Sequence, residues 1–261
     1  MARCDLDGVI LGAEGQRPKV IIPLGAAGAD ELRDQALAAA PLADLVEWRV
    51  DSFRGSLEPG VLAATAQQLR EASGRPLIAT VRTCAEGGNF RGDDQNYLRL
   101  VRWLAALDAV SLLDVEADRS TAGGCIAAAT EHGTPVIVSH HEFTATPPVD
   151  EMVARLAAME ELGATICKLA VMAHDSADAA ALLLATARRH ERARVPLLTM
   201  AMGEAGLVSR VVGHLFGSCA TFASLGGRSS APGQPPVEQL RELLDALTRL
   251  SGPSRPGNGS A

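Results

Sequence analysis

Eight apolar segments recur along the chain, and segments with helical spacing lie between them. The apolar segments are KVIIPLG (19–25), DLVEWRVD (44–51), PLIATVRT (76–83), AVSLLDVEA (109–117), PVIVSHHEF (135–143), ATICKLAVMA (164–173), PLLTMAMG (196–203) and GSCATFASL (217–225). Most read as nearly continuous hydrophobic runs, the pattern of parallel strands covered on both faces. Stretches such as ADELRDQALAAA, VLAATAQQLREA, DEMVARLAAMEEL and SADAAALLLATARRH repeat apolar residues at helical intervals. PPVEQLRELLDALTRL enters a last helix through prolines suited to a helix start. Eight strands, each followed by a helix, in 261 residues predict a (β/α)8 TIM barrel. The competing architecture, an open doubly wound sheet, carries a Gly-rich phosphate turn after its first strand. Here PLGAAGADEL has Gly25 and Gly28 but no G-x-G-x-x-G. The expected organisation is a single domain over residues 1–250. The residues before the first barrel strand leave room for a hairpin that closes the barrel base. SGPSRPGNGSA (251–261) has the composition of a disordered tail.

Composition narrows the function. The chain is 47% hydrophobic but only 3% aromatic, so its core must be built from Leu, Val, Ile and Ala. Its net charge is −7, with no basic run or aromatic-rich basic face, which argues against a nucleic-acid partner. No apolar run reaches membrane-spanning length, and MARCDLDGVI has no signal-peptide core, so the expected location is the cytoplasm. The five cysteines are scattered with no C-x-x-C pair, which predicts neither a disulfide framework nor a zinc cluster. Cys167 and Cys219, inside apolar strands, read as small core residues.

One charge stands out. Lys168 lies mid-strand among Ile166, Cys167, Leu169, Ala170, Val171 and Met172. A charge buried there costs several kcal/mol unless paired or neutralised. It is either half of a structural ion pair or an amine desolvated for attack on a carbonyl. Barrel active sites sit at the C-terminal ends of the strands, and side chains alternate faces along a strand. Alternation places Glu47, Arg49 and Asp51 on one face with Trp48 and Val50 on the other, where a ring of helices would cover Trp48. Arg82 shares a face with Thr80, and Glu86 follows in the loop. Asp114 and Glu116 share a face and read equally well as partners of a buried cation or as capping or loop acids. His140 and His141 fall on opposite faces, so they cannot chelate one metal and only one can point into the barrel mouth. Glu142 is available to orient that histidine, or is a loop acid. The inward set is Glu47, Arg49, Arg82, Glu86, one histidine and Lys168. It suits an anionic, oxygen-rich carbonyl substrate, because arginine binds carboxylate bidentately.

VEWRVD, TVRTCAEGG, SHHEF, CKLAVM and the long run MAMGEAGLVSRVVGHLFGSCATFASLGGRSSAPGQPPVEQL occur in an order and spacing that resemble the type I 3-dehydroquinate dehydratases. The resemblance spans about residues 18–248. It implies a homodimeric barrel with no metal or organic cofactor that dehydrates 3-dehydroquinate to 3-dehydroshikimate in aromatic biosynthesis. By motif match, Lys168 is the Schiff-base lysine, His141 the general acid/base and Glu86 its support. Glu47, Arg49 and Arg82 match positions that bind substrate hydroxyls and organise the site. Arg210, Ser230 and Gln234 match the group that holds the substrate carboxylate and closes a loop over it. The chain departs from the usual pattern at His140, where other polar residues are common, and at Glu142, where aspartate is frequent. A Schiff-base aldolase or transaldolase barrel shares the strand lysine, and a non-catalytic metabolite-binding barrel shares the fold. The three matched arginines and the second-histidine motif favour the dehydratase.

Overall fold

The computed structural model describes residues 3–12, 16–227 and 230–251. Residues 252–261, nearly all of the expected tail, lie outside the described residues. The chain opens with a short antiparallel hairpin, β1 (Cys4–Leu6) and β2 (Val9–Leu11), in the register Cys4 to Leu11. Eight parallel strands follow: β3 (Lys19–Leu24), β4 (Leu45–Arg49), β5 (Leu77–Thr80), β6 (Leu112–Glu116), β7 (Val136–Glu142), β8 (Ile166–Met172), β9 (Leu197–Met202) and β10 (Ala220–Phe222). The sheet order is β10-β3-β4-β5-β6-β7-β8-β9, and an isolated parallel bridge between Leu197 and Ser218 brings the two edges together. This is the expected (β/α)8 barrel: each strand from β3 to β8 pairs with the next in sequence, and β10 pairs with β3.

The helices are α1 (Ala29–Ala39), α2 (Pro59–Ser73), α3 (Asp94–Ala105), α4 (Ala122–Glu131), α5 (Val149–Glu161), α6 (Ser176–His190), the short α7 (Leu207–Val212) and α8 (Val237–Ser251). Their boundaries follow local chemistry. Asp93 caps α3 by accepting from Asn96 N, and Asp175 caps α6 by accepting from Ala177 N and Asp178 N. α2 starts on Pro59 and ends at Gly74 in the left-handed region (φ 59°). Among the described residues, no helix is long and apolar enough to cross a membrane.

The period of two along each strand divides the core. Outward residues such as Val20, Ile22, Trp48, Val138, Cys167 and Leu169 join the helices in one apolar cluster. Inward residues form stacked layers. Ile21, Leu45, Ile78, Leu112, Ile137 and Ile166 make an apolar floor, against which the hairpin packs Cys4, Leu6 and Leu11. The hairpin therefore closes the barrel base. Two residues further along β4 to β8 the layer turns polar: Glu47, Thr80, Asp114, Ser139 and Lys168. Two residues beyond these stand Arg49, Arg82, Glu116 and His141. The apolar floor shields the polar layer from water below, so Lys168 and its neighbours must satisfy one another.

The eighth barrel strand is shorter than the apolar segment 217–225 predicts. Gly217 adopts φ 107° and turns the chain, and Ser218 uses its side chain in place of the ladder. Ser218 Oγ accepts from Thr199 N at 3.0 Å while Cys219 N donates to Leu197 O at 2.7 Å.

Candidate active site

Lys168, on β8, is 3% exposed. Its Nζ donates to Asp114 Oδ2 at 2.8 Å, lies 3.9 Å from Glu47 Oε1 and sits 4.7 Å from the centroid of the Phe222 ring. Lys168 is therefore ion-paired, and it also opens onto a pocket. Asp114 also accepts from Arg82 Nη2 at 2.7 Å and from Ser139 Oγ at 2.6 Å. Burial pushes the Asp114 carboxyl up, but the charges of Arg82 and Lys168 outweigh it and hold the group well below the usual carboxylate range.

Arg82 is the hub of the site. Its Nη1 reaches Glu86 Oε2 at 3.1 Å, Glu116 Oε1 at 3.2 Å and Ser139 Oγ at 3.1 Å. Burial disfavours its charge, but Asp114, Glu86 and Glu116 more than compensate and raise its pKa. Glu116 in turn accepts from Thr83 N and Thr83 Oγ1, which pins the turn that carries Glu86. Asp114 and Glu116 are thus both cation partners rather than capping or loop acids.

His141 Nδ1 lies 2.8 Å from Glu86 Oε2, so Nε2 is the ring nitrogen left for a ligand. Phe143 stacks on the imidazole at 6.2 Å between centroids, and Gly87 leaves room for that ring: a Cβ there, at φ 75°, would come within 2.4 Å of it. Burial, followed by the charges of Arg82 and Lys168, holds the His141 imidazole well below its usual pKa. Burial raises the Glu86 carboxyl to about 8; Arg82 opposes this, while Glu116, Asp114 and Asp118 add to it. Both directions favour a neutral imidazole beside a carboxyl that keeps its proton near neutral pH. His140 points to the other side of the strand, with Nδ1 2.9 Å from Asp118 Oδ2. Glu142 does not reach His141; it accepts from Thr144 N and Thr144 Oγ1, which makes it a loop acid.

Arg49 forms a bidentate pair with Asp51 at 2.9 and 2.8 Å, which aims its guanidinium while Asp51 also accepts from Arg82 N and Asn89 N. Glu47 accepts from Thr80 Oγ1 at 2.8 Å. Arg210, on α7, is 1% exposed and donates from Nη2 to Pro232 O at 3.1 Å. Among the described residues its Nε and Nη1 have no hydrogen-bond partner. Burial lowers its pKa to about 10, so it remains a cation at neutral pH. Ser230 N and Ser230 Oγ face Gln234 Oε1 at 2.9 and 3.4 Å, bracketing a turn at Pro232 and Gly233. Gly233 has φ 75°, and a Cβ there would meet Gly203 O at 2.3 Å, so only glycine lets this loop rest on the end of β9.

One pocket is lined by all nine residues that the family resemblance assigns to the site: Glu47, Arg49, Arg82, Glu86, His141, Lys168, Arg210, Ser230 and Gln234. It also has an apolar wall, including Phe143, Met200, Met202 and Phe222, that the sequence reading did not pick out. Those residues carry no polar signal, and only the barrel closure brings them to the pocket. Asp114 lies beneath it and is reached through Lys168 and Arg82.

Fold and site together define a (β/α)8 barrel enzyme with a buried amine, a histidine–carboxylate pair and clustered arginines at the C-terminal mouth. The family model for type I 3-dehydroquinase matches residues 20–251, and the chain belongs to that family. The 3-dehydroquinate dehydratase of Aromatoleum aromaticum is 41% identical over 246 residues, covering 92% of this chain and 94% of its own length. That of Bacillus subtilis is 38% identical over 247 residues, covering 93% and 96%. Among solved structures, the 3-dehydroquinate dehydratase of Geobacillus kaustophilus superposes with a TM-score of 0.90 at 32% identity, covering 95% of this chain and 97% of that one. The type I enzyme of Clostridium difficile, solved with covalent modified comenic acid, gives 0.89 at 31% identity, covering 96% and 100%.

Proposed function

We propose that this chain dehydrates 3-dehydroquinate to 3-dehydroshikimate, the reaction of its family, through an imine on Lys168. The Lys168 amine adds to the C3 ketone, and the resulting carbinolamine loses water to give an iminium. The iminium makes the neighbouring C2 proton acidic, and His141 Nε2 takes it to leave an enamine. The electron pair of the enamine expels the C1 hydroxyl as His141 returns its proton, so the group leaves as water. Hydrolysis of the conjugated iminium frees product and amine. Neutral imidazole is the form needed for proton abstraction, and burial favours it. Asp114, anchored by Arg82 and Ser139, fixes the starting position of Nζ.

The observation that carries this reading is the shared pocket: Lys168, the His141–Glu86 pair and a buried Arg210, whose Nε and Nη1 no described residue accepts from, all line it. Arg210 supplies what a substrate carboxylate needs, with Ser230 and Gln234 closing over it. Glu47, Arg49 and Arg82 are left to the substrate hydroxyls and to organising the site. An aldolase reading has no comparable support, because the family match and the two relatives named above are dehydratases. We further infer a homodimer, since Leu207, Val208 and Leu215 on and after α7 are 42–60% exposed. A reducing, cytoplasmic setting suits five free cysteines, four of them buried. The direct test is the rise of enone absorbance on adding 3-dehydroquinate. Turnover that is lost in Lys168→Met supports the reading, and no turnover in the wild type rejects it.

A further inference from the structure

Glu86 divides its two oxygens between two environments. Oε2 takes His141 Nδ1 at 2.8 Å and Arg82 Nη1 at 3.1 Å, both on the substrate side. Oε1 lies 3.9 Å from His140 Nδ1. The same His140 nitrogen is 2.9 Å from Asp118 Oδ2, and the Asp118 side chain is 59% exposed. A second cavity, lined by Glu86, His140, His141, Asp118, Glu142 and Thr144 among others, opens behind the catalytic pair. Glu86 and His141 therefore form a wall between two cavities, one for substrate and one on the solvent side.

We propose that His140 is a positioning residue that exchanges protons between Glu86 and solvent through this second cavity, while the substrate pocket is closed. This inference rests on the proposed acid–base role of His141.

The step balances simply. A proton that His141 has taken from substrate passes from Nδ1–H to Glu86 Oε2. The carboxyl presents a proton from Oε1 to the lone pair of His140 Nδ1. His140 Nδ1–H then gives it to Asp118 Oδ2, from which water removes it; the reverse sequence delivers a solvent proton. A single nitrogen serves both transfers, so the ring need not flip. The gap of 3.9 Å is longer than a hydrogen bond and calls for a small side-chain shift or a bridging water. Arg155 Nη1, 3.2 Å from the same nitrogen and paired with Glu151, makes a charged His140 short-lived. Burial and Arg155 lower the His140 pKa, against the opposing pull of Asp118 and Glu142. The proton is thus passed on rather than stored.

The test is dehydration run to partial conversion in deuterium oxide, with deuterium measured at C2 of the recovered 3-dehydroquinate and corrected for enzyme-free exchange. The wild type should return deuterated substrate. His140→Phe should lower the ratio of exchange to dehydration on the order of tenfold, less than the roughly 10²–10⁴-fold worth of a group that moves the substrate proton itself. Asp118→Asn, a change at an exposed carboxylate, should shift the ratio in the same direction and guards against a folding defect in the first variant. A merely structural role for His140 would slow exchange and dehydration together and leave the ratio unchanged. An unchanged ratio in both variants, or a wild type that returns no deuterium while dehydrating normally, overturns the relay. Absence of dehydration in the wild type would instead reject the underlying reading of the site.

Discussion

Lys168 Nζ and Asp114 Oδ2 are 2.8 Å apart at the centre of the barrel, with side chains 4% and 0% exposed. The two residues are not equivalent within their pair. Asp114 retains Arg82 and Ser139 when the lysine is removed, whereas Lys168 without Asp114 keeps, among the described carboxylates, the more distant Glu47, and the face of Phe222. Asp114→Asn should therefore destabilise by about 3–5 kcal/mol, the usual cost of stranding a buried charge. Lys168→Met, which puts an apolar chain where the amine was, should cost no more than about 2 kcal/mol. Urea unfolding at pH 7 measures both, and a larger loss in Lys168→Met would contradict this picture of the pair.

Glu86 gives stability a pH dependence of defined sign. Folding raises its pKa from 4.5 to about 8, so the native state keeps a proton that the unfolded chain has released. The associated stability is full below pH 4.5 and is lost as pH rises towards about 8. Glu86→Gln removes this titration while leaving an amide to face His141 and Arg82. Relative to wild type, the variant should gain stability between pH 5 and pH 9, by a few kcal/mol at about 1.4 kcal/mol per unit. Parallel unfolding curves across that range would contradict the raised carboxyl.

Arg210 has two buried nitrogens, Nε and Nη1, whose N–H bonds no described residue accepts. If they bind the substrate carboxylate, Arg210→Met should raise KM more than it lowers kcat. Charge-assisted hydrogen bonds of about 1.5–3 kcal/mol correspond to a loss of roughly 10–150-fold in affinity. Steady-state kinetics decide the matter, and a fall in kcat at unchanged KM would point away from carboxylate binding.

The loop of Ser230 and Gln234 rests on Arg210 through Pro232 O and on β9 at Gly233. Ligand bound beneath it should slow amide exchange over residues 230–236. Identical exchange with and without product would mean that the segment is a static connection.

Much of this site can be read from period-two alternation. It separates Glu47 and Arg49 from Trp48 and His141 from His140, because a strand in a covered sheet leaves few other ways to place charge. Alternation also puts Asp114 and Glu116 on one shared face, but it cannot say whether that face meets a buried cation. Asp114 meets Lys168 only because closure brings β6 and β8 to a common interior, with contacts 54 residues apart in sequence. Arg210 lies on a short helix, and Ser230 and Gln234 in a loop, where no strand period applies. Family resemblance alone pointed to them. The surroundings of His140 were the least legible, since Asp118 and Arg155 come from two further elements that meet only in the folded chain.

The most direct test of the account is covalent capture of the imine. Borohydride added during turnover of 3-dehydroquinate should reduce the iminium to a stable secondary amine, and peptide mapping should find the added mass on Lys168. Lys168→Met should carry none. An adduct on another residue, or turnover with no capture at Lys168, would contradict the Schiff-base mechanism.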